Sequence, residues 1–397
     1  MQGELPDLKQ TRKLVQQGLA LLYEQHQPGK ALPLLQQAQQ LGYSDESGLS
    51  GLAQCLLMQN QLDAAMEVYQ TLLDQGAFTV AIGQNMGLLL VRRRQYRAAL
   101  KLLERACSLN KDPMTSHQLS QTMSATRELL DSQGDIDDIF NRHIKSGLSL
   151  LRRLPPAQLA DAGQTGADGC AVIVEDREHP WLEHALRNVT HFLPDNWKLL
   201  VVHGTANAGF VRDLLQQCGL AGVTDLHVLA QTTNINRVSY SALLKSAAFW
   251  QRIPAERALI FQTDCMLLGR GLEAFYDWDY VGAPWNDFHT PQGVGNGGLS
   301  LRNVTVMQAI TENFTKQSPP TEMEDVFFAR MLHAHQSDLP CVSGLASRQV
   351  ALDFALECRL QDQPDPARPL GLHQAWRFFP EQMVSGWFSH VLEQYRI

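Results

Sequence analysis

Residues 258–268 read ALIFQTDCMLL, an apolar run that the polar triplet Gln262-Thr263-Asp264 interrupts. Other short apolar runs lie at 170–174, 198–202, 226–229 and 280–283. Stretches with helical periodicity separate most of these runs, at 181–192, 210–218 and 240–250. Strands that alternate with helices are typical of an α/β fold with a largely parallel sheet. The sequence predicts such a domain for the second half of the chain.

Asp264 is the clearest candidate for a functional residue. A carboxylate in an apolar strand is expected to be paired, hydrogen-bonded or metal-bound, because burying it unpaired costs several kcal/mol or shifts its pKa. Ligands of parallel sheets bind beyond the carboxyl ends of the strands. Other polar groups at the ends of predicted elements are Glu175-Asp176-Arg177, Glu324-Asp325 and His373. The glycine-rich stretch 295–298 lets the backbone approach a ligand closely.

The first half of the chain repeats with a fixed period. Ala31, Ala65 and Ala99 are spaced 34 residues apart, and each lies in a helical pattern that follows a turn and an earlier helical pattern. A helix–turn–helix unit of this length, with a small residue where the helices cross, has the tetratricopeptide period. We therefore predict an all-α array over about 10–131, capped by a helix near 116–130. An unrelated helical bundle whose alanines coincide is the alternative.

Composition and charge exclude several classes of protein. The Pro- and Gly-rich stretch 151–168 predicts a linker between a helical region at 1–150 and the α/β domain at 169–397. The formal net charge is −8, and the acidic second half of the chain argues against a nucleic-acid surface. Seven dispersed cysteines without a CxxC pair indicate reduced thiols. With neither a signal peptide nor a run of about 20 apolar residues, we expect a soluble, cytoplasmic protein.

A series of blocks in the second half resembles a known group of domains. The blocks are LIFQTDCMLL, YDWDYVGAPW, VGNGGLSLRN, EDVFFA, FALE and PLGLHQAW, in this order. They resemble a poorly characterised family of GT-A-type glycosyltransferase-like domains, over about residues 168–377. The resemblance implies a GT-A-like, Rossmann-like α/β fold. It also implies transfer of a sugar from a nucleotide-diphosphate donor to a saccharide, peptide or protein acceptor.

The resemblance also implies roles for individual residues. Asp264 takes the last place of the DxD-type motif, and His373 resembles the late histidine that completes the metal site, so the implied cofactor is Mn²⁺ or Mg²⁺. Gln262 stands where the first acid of that motif is usual. Glu324 and Asp325 resemble the acidic pair that supplies the catalytic base of inverting enzymes, with Glu324 slightly favoured. Acids that merely favour a helix N-terminus are the alternative for this pair.

The remaining residues implied by the resemblance would bind the donor or the acceptor. They are Glu175, Arg177, Gln262, Trp285, Asn296, Gly297 and Gly298. For Trp285, packing in the core is an equal alternative. Inverting and retaining stereochemistry both stay open at this point.

Two classes of function compete. In the first, a glycosyltransferase uses its helical repeats to recruit the acceptor or a protein partner. In the second, a non-catalytic adaptor carries a degenerate glycosyltransferase domain, which the replacement of the first acid by Gln262 favours. The joint presence of Asp264, Glu324-Asp325 and His373 argues for the enzyme. A nucleotidyltransferase on a related fold is a weaker third possibility.

Overall fold

The computed structural model describes residues 8–43, 45–161, 166–229, 235–285, 293–320, 322–360 and 368–396. The chain divides into two compact units, Met1–Asp138 and Ile139–Ile397. This division falls earlier than the predicted end of the helical region at residue 150. None of the helices in the described ranges is long and apolar enough to cross a bilayer.

The first unit is all α-helical. Its helices are α1 (Leu8–Tyr23), α2 (Pro28–Gln40), α3 (Glu46–Met58), α4 (Leu62–Asp74), α5 (Val80–Arg92), α6 (Tyr96–Leu109) and α7 (Pro113–Gln133). The three alanines of the 34-residue period are fully buried. At Gly87, a Cβ atom would lie 2.8 Å from Leu103 Cγ, so α5 and α6 approach as closely as they do because this residue has no side chain. The helix expected near 116–130 is α7, which packs through Leu119.

The second unit is a mixed α/β domain with two sheets. The main sheet has the order β3-β2-β1-β4-β7-β6 and the small sheet has the order β5-β9-β8. The strands are β1 (Ala167–Glu175), β2 (Trp197–His203), β3 (Thr224–Val228), β4 (Ala255–Phe261), β5 (Cys265–Leu267), β6 (Tyr280–Gly282), β7 (Leu299–Asn303), β8 (Ala355–Leu356) and β9 (Gly371–His373). Strands β3, β2, β1 and β4 pair in parallel, whereas β7 is antiparallel to both β4 and β6.

Helices surround these strands. They are α8 (Asp137–Leu151), α9 (Leu182–Phe192), α10 (Ala208–Cys218), α11 (Arg237–Leu244), α12 (Ala247–Trp250), α13 (Val304–Phe314), α14 (Glu324–His335), α15 (Arg348–Phe354) and α16 (Glu381–Gln394). Every residue of β2 is buried, and so is every residue of β1 except Asp168. Continuous apolar burial is typical of central parallel strands that are covered on both faces. The predicted fold class, a helical repeat region followed by a largely parallel α/β domain, is confirmed.

Strand register brings distant residues to one edge of the main sheet. Phe261, the last residue of β4, is paired with Ile173 of β1 and with Leu299 at the start of β7. The residues that follow β1 and β4 therefore meet those that precede β7. In the small sheet, Cys265 pairs with His373, which places His373 beside Asp264.

Helix α8 packs within the second unit through an aromatic cluster. The Phe140 ring stacks on Trp376 with centroids 3.7 Å apart and meets the edge of Trp181 at 5.0 Å. His143 stacks on Phe388 at 4.3 Å. These contacts explain why this helix belongs to the α/β unit, although the sequence placed it in the helical region.

Two buried histidines in this cluster predict a pH-dependent stability for the second unit. His143 and His184 are buried, and neither ring has a hydrogen-bond partner among the described residues. Burial lowers the pKa of His184 to about 4 and that of His143 well below its usual value. Both rings are therefore neutral in the folded protein, whereas they titrate near 6.5 when it is unfolded.

We expect the free energy of unfolding of this unit to fall as the pH drops from about 6.5 to 4, because only the unfolded chain takes up the protons. Each histidine should contribute a slope of about 1.4 kcal/mol per pH unit. This pH dependence is measured by urea denaturation between pH 7.5 and 5. The proteins compared are wild type, His184→Gln and the exposed control His333→Gln. The slope should decrease in His184→Gln alone; an equal slope in all three proteins would contradict the prediction.

Candidate active site

Asp264 and His373 face each other at the carboxyl end of β4. Their closest atoms, Asp264 Oδ1 and His373 Nε2, are 3.6 Å apart, and both side chains are largely buried, with exposures of 17% and 6%. Donor atoms of Asp264, Cys265 and His373, one from each residue, lie within 4.8 Å of one another. The strand pairing described above creates this proximity between residues that are far apart in the sequence.

The other ring nitrogen of His373 determines which atom is available to a ligand. His373 Nδ1 lies 3.1 Å from Asn296 Oδ1 and 3.3 Å from Glu357 Oε1. The amide oxygen of Asn296 also accepts a hydrogen bond from Gly298 N–H, and its amide nitrogen donates to Glu357. Since both neighbours of Nδ1 are acceptors, Nδ1 carries the proton of the neutral ring, and Nε2, which lies nearer Asp264, is the nitrogen that a metal ion could bind.

Charge around His373 favours a cation. Burial lowers the pKa of its imidazole, but the carboxylates of Glu357 and Asp264 outweigh burial and raise that pKa above its usual value. A carboxylate oxygen and an imidazole nitrogen form a donor set that fits Mn²⁺, while Mg²⁺ prefers oxygen ligands alone. Cys265 is a poorer ligand, because its buried thiol donates to the Gly298 carbonyl at 3.0 Å and burial raises its pKa. Asp264 and His373 are therefore the residues that could hold a metal ion.

The two acids at the start of α14 have different environments. Glu324 is buried in a two-pronged ion pair with Arg302, with N–O distances of 2.6 and 3.0 Å. Burial raises the pKa of Glu324, and the Arg302 guanidinium offsets part of that effect. Arg302 itself lies beneath the Tyr280 ring, 4.5 Å from its centroid. Both carboxylate oxygens of Glu324 are thus engaged in the core.

Asp325 turns toward the glycine-rich stretch instead. It is half-buried, and its Oδ2 accepts a hydrogen bond of 3.1 Å from Gly297 N–H, while Oδ1 accepts from Val326 N–H. A Cβ atom at Gly297 would collide with Glu324, and one at Gly298 would overlap the His373 ring. The two glycines therefore let the backbone pass between the acidic pair and the histidine.

The end of β1 offers a different set of groups. Arg177 forms a two-pronged ion pair with its neighbour Glu175, at 2.7 and 2.9 Å, so the predicted ligand Glu175 is already engaged. The Arg177 pKa is raised chiefly by that pair and also by the negative charges of Asp176 and Asp264. Asp176 is buried. Its Oδ2 accepts from Ile235 N–H, and its Oδ1 has no partner among the described residues.

Gln262 and Trp285 complete the predicted set. Gln262 is half-buried at the end of β4, two residues before Asp264. The Trp285 carbonyl accepts from Arg348, and the Trp285 ring lies beside Gly295, one residue from Asn296. Sequence reasoning gave no role to Glu357 or Asp176. Glu357 was visible as the last residue of the block FALE, and Asp176 as one of the polar groups that follow the first strand.

Family models match both units. A model described as "Protein of unknown function (DUF5672)" matches residues 225–373, and a tetratricopeptide repeat model matches residues 22–82. The second match agrees with the repeat period found in the sequence. The first spans the segment from β3 to His373 and so includes Asp264, Asn296 and Asp325. No curated protein matches the sequence.

Several solved structures resemble the chain at low identity. Mouse xyloside xylosyltransferase 1, in its apo form, is 12% identical with a TM-score of 0.39, over 54% of this chain and 100% of the other. A mannosyltransferase from Pyrobaculum calidifontis, in complex with GDP-Man and Mn²⁺, is 13% identical with a TM-score of 0.32, over 53% and 65%. The glycosyltransferase GlyE of Streptococcus pneumoniae is 12% identical with a TM-score of 0.32, over 57% and 64%. All three are glycosyltransferases by name.

Proposed function

We propose that the second unit transfers a sugar from a nucleoside-diphosphate donor to a hydroxyl group of a saccharide, peptide or protein acceptor. The observation that carries this proposal is the pair Asp264 and His373, whose donor atoms face each other at 3.6 Å at the carboxyl end of β4. The order of the GT-A-like motifs supports the same reaction class. The helical repeats would recruit the acceptor or a protein partner.

Asp264 and His373 would hold Mn²⁺ or Mg²⁺ in this enzyme. When bound, the cation would neutralise the charge that develops on the departing diphosphate. Glu357 and Asn296 would orient His373 through its Nδ1 proton, a role that outer-shell partners commonly have in metal sites. Gln262 is neutral, so the protein supplies one carboxylate here rather than two.

Asp325 is our choice for the general base of an inverting reaction. Glu324 is unsuitable because Arg302 engages both of its oxygens. Asp325 accepts backbone hydrogen bonds and lies beside Gly297. In the reaction, Asp325 takes the proton of the acceptor hydroxyl as the new bond to the anomeric carbon forms. The bond from that carbon to the phosphate oxygen breaks, and the nucleoside diphosphate leaves.

The donor nucleoside would lie at the end of β1. Asp176 has a buried carboxylate oxygen without a partner among the described residues, and such a group fits a hydroxyl or N–H donor of the ligand. The half-exposed Arg177 guanidinium adds a positive charge near the diphosphate. Asn296, Gly297 and Gly298 would line the path of the transferred sugar.

A thermal-shift screen tests the proposal. The full chain is melted with uridine, guanosine, cytidine or thymidine diphosphate, each with Mn²⁺ or with EDTA. A nucleotide at about 100 times its Kd should add roughly 2.7 kcal/mol of stability. We expect one nucleotide to raise Tm in Mn²⁺ but not in EDTA. If none of the nucleotides raises Tm, the result would contradict the proposed transferase activity and favour the non-catalytic adaptor. A rise in Tm that persists in EDTA would contradict the proposed metal site.

A further inference from the structure

Gln374, the residue after β9, has an unusual backbone conformation for its type. Its φ of 52° and ψ of 13° lie in the left-handed region, which a residue with a side chain adopts at a conformational cost. Such conformations at a ligand site persist only where surrounding contacts impose them, and they often have a functional reason. Gln374 adjoins His373 directly, so its strained backbone is part of the candidate metal site.

Two contacts hold Gln374 in place. Its backbone N–H donates to the Asp264 carbonyl at 3.1 Å, which ties it to the other candidate ligand. Its side-chain Oε1 accepts from the Arg377 guanidinium at 2.7 Å. Since a guanidinium only donates, this contact assigns the oxygen of the amide and turns the amide nitrogen the other way.

That nitrogen points at His373. Gln374 Nε2 and His373 Nε2 are 3.2 Å apart. In the neutral ring, which is the form that binds a metal, the histidine nitrogen is the acceptor of this pair, because Nδ1 faces the acceptors Asn296 and Glu357 and keeps the ring proton. The lone pair that a cation would need is therefore already occupied by an N–H of Gln374.

We infer that Gln374 is an internal competitor for the cation, and that it regulates loading of the metal site. The inference rests on the proposed function, because it assumes that Asp264 and His373 bind the cation. While the Gln374 amide donates to His373 Nε2, the imidazole cannot bind a metal, so loading requires the amide to turn away. The cation alone then binds weakly. It binds more tightly when the diphosphate of the donor supplies additional oxygen ligands.

The test measures binding of Mn²⁺ alone to the full chain, from the EPR signal of the free ion. Gln374→Met keeps the length of the side chain but removes the hydrogen bond. A hydrogen bond of typical net strength predicts an increase in Mn²⁺ affinity of about two- to tenfold. Gln374→Gly also removes the hydrogen bond, and glycine adopts a positive φ without strain. This variant therefore serves as the test if the Met variant does not fold. Gln382→Met, at an exposed position of α16, is the matched control.

The outcomes separate this inference from the proposed function. Tighter binding of Mn²⁺ by both Gln374 variants, with the control unchanged, supports the inference that Gln374 competes with the cation. An unchanged affinity of the Gln374 variants for Mn²⁺ overturns this inference. A weaker affinity also overturns it, because it shows that Gln374 is itself a ligand. If wild type binds no Mn²⁺ even with the nucleoside diphosphate present, the proposed metal site is wrong, and the inference about Gln374 is wrong with it.

Discussion

Asp325→Asn should reduce kcat by about 10²- to 10⁴-fold, the usual contribution of a positioned general base. The reason is chemical rather than structural. Asparagine keeps an oxygen that can accept the hydrogen bond from Gly297 N–H, so the backbone beside the site is preserved, while the group can no longer take a proton. We therefore expect Tm to change little, and donor turnover with a saturating acceptor to be lost.

Glu324→Gln is the matched control for that variant, because the two acids are adjacent in the sequence. It should destabilise the protein by about 3–5 kcal/mol, since it leaves the Arg302 guanidinium buried without its counter-charge. Protein that remains folded at low temperature should retain much of its kcat. The reverse pattern, a large loss of kcat in Glu324→Gln and normal turnover in Asp325→Asn, would contradict our assignment of the base.

Asp264→Asn should abolish Mn²⁺ binding and reduce turnover by about 10²- to 10³-fold, as the loss of a preorganised electrostatic group does in other enzymes. The amide keeps the size of the side chain and an oxygen, but it removes the negative charge that Asp264 offers opposite His373. Because Asp264 lies between β4 and β5 rather than within a strand, and Asn keeps the size of the side chain, we expect the fold to persist. Asp213→Asn, at an exposed position of α10, controls for the loss of a surface charge.

Both readouts are needed for Asp264→Asn. Turnover is compared with the nucleotide-dependent Tm shift in Mn²⁺ and in EDTA. A variant that has the same Tm as wild type without nucleotide, and whose nucleotide-dependent shift in Mn²⁺ is as small as that of wild type in EDTA, has lost the contribution of the metal while keeping its fold. Full turnover together with normal Mn²⁺ affinity would remove Asp264 from the site.

Periodicity carries information about local structure, and it predicted the fold well. The 34-residue spacing of Ala31, Ala65 and Ala99 depends on the geometry of one helical pair, and the alternation of strands and helices depends on short segments. The proximity of Asp264 and His373 depends on the antiparallel pairing of β5 and β9. No spacing rule reports such a long-range pairing, so only the family resemblance suggested it.

The choice between Glu324 and Asp325 shows where sequence reasoning ends. Successive residues of a helix point about 100° apart, so one of two adjacent acids faces the core while the other does not. Which one faces inward is decided by Arg302, on a strand that reads LSLRN. The argument that singled out Asp264, a charge within an apolar run of the sequence, applies equally to Arg302 and would have indicated its need for a buried partner.

The aromatic cluster around Phe140 constrains how a helical repeat array and an α/β domain could be joined in evolution. Phe140 on α8 stacks on Trp376, three residues after His373, so the second unit includes a helix that precedes its first strand in the chain. If the repeat array were replaced by another domain, the second unit would keep its packing only when the point of fusion lies before α8. A junction within 151–168, where composition suggests a linker, would strip the unit of the helix that covers Trp376. Packing thus requires that α8 be inherited together with the α/β unit.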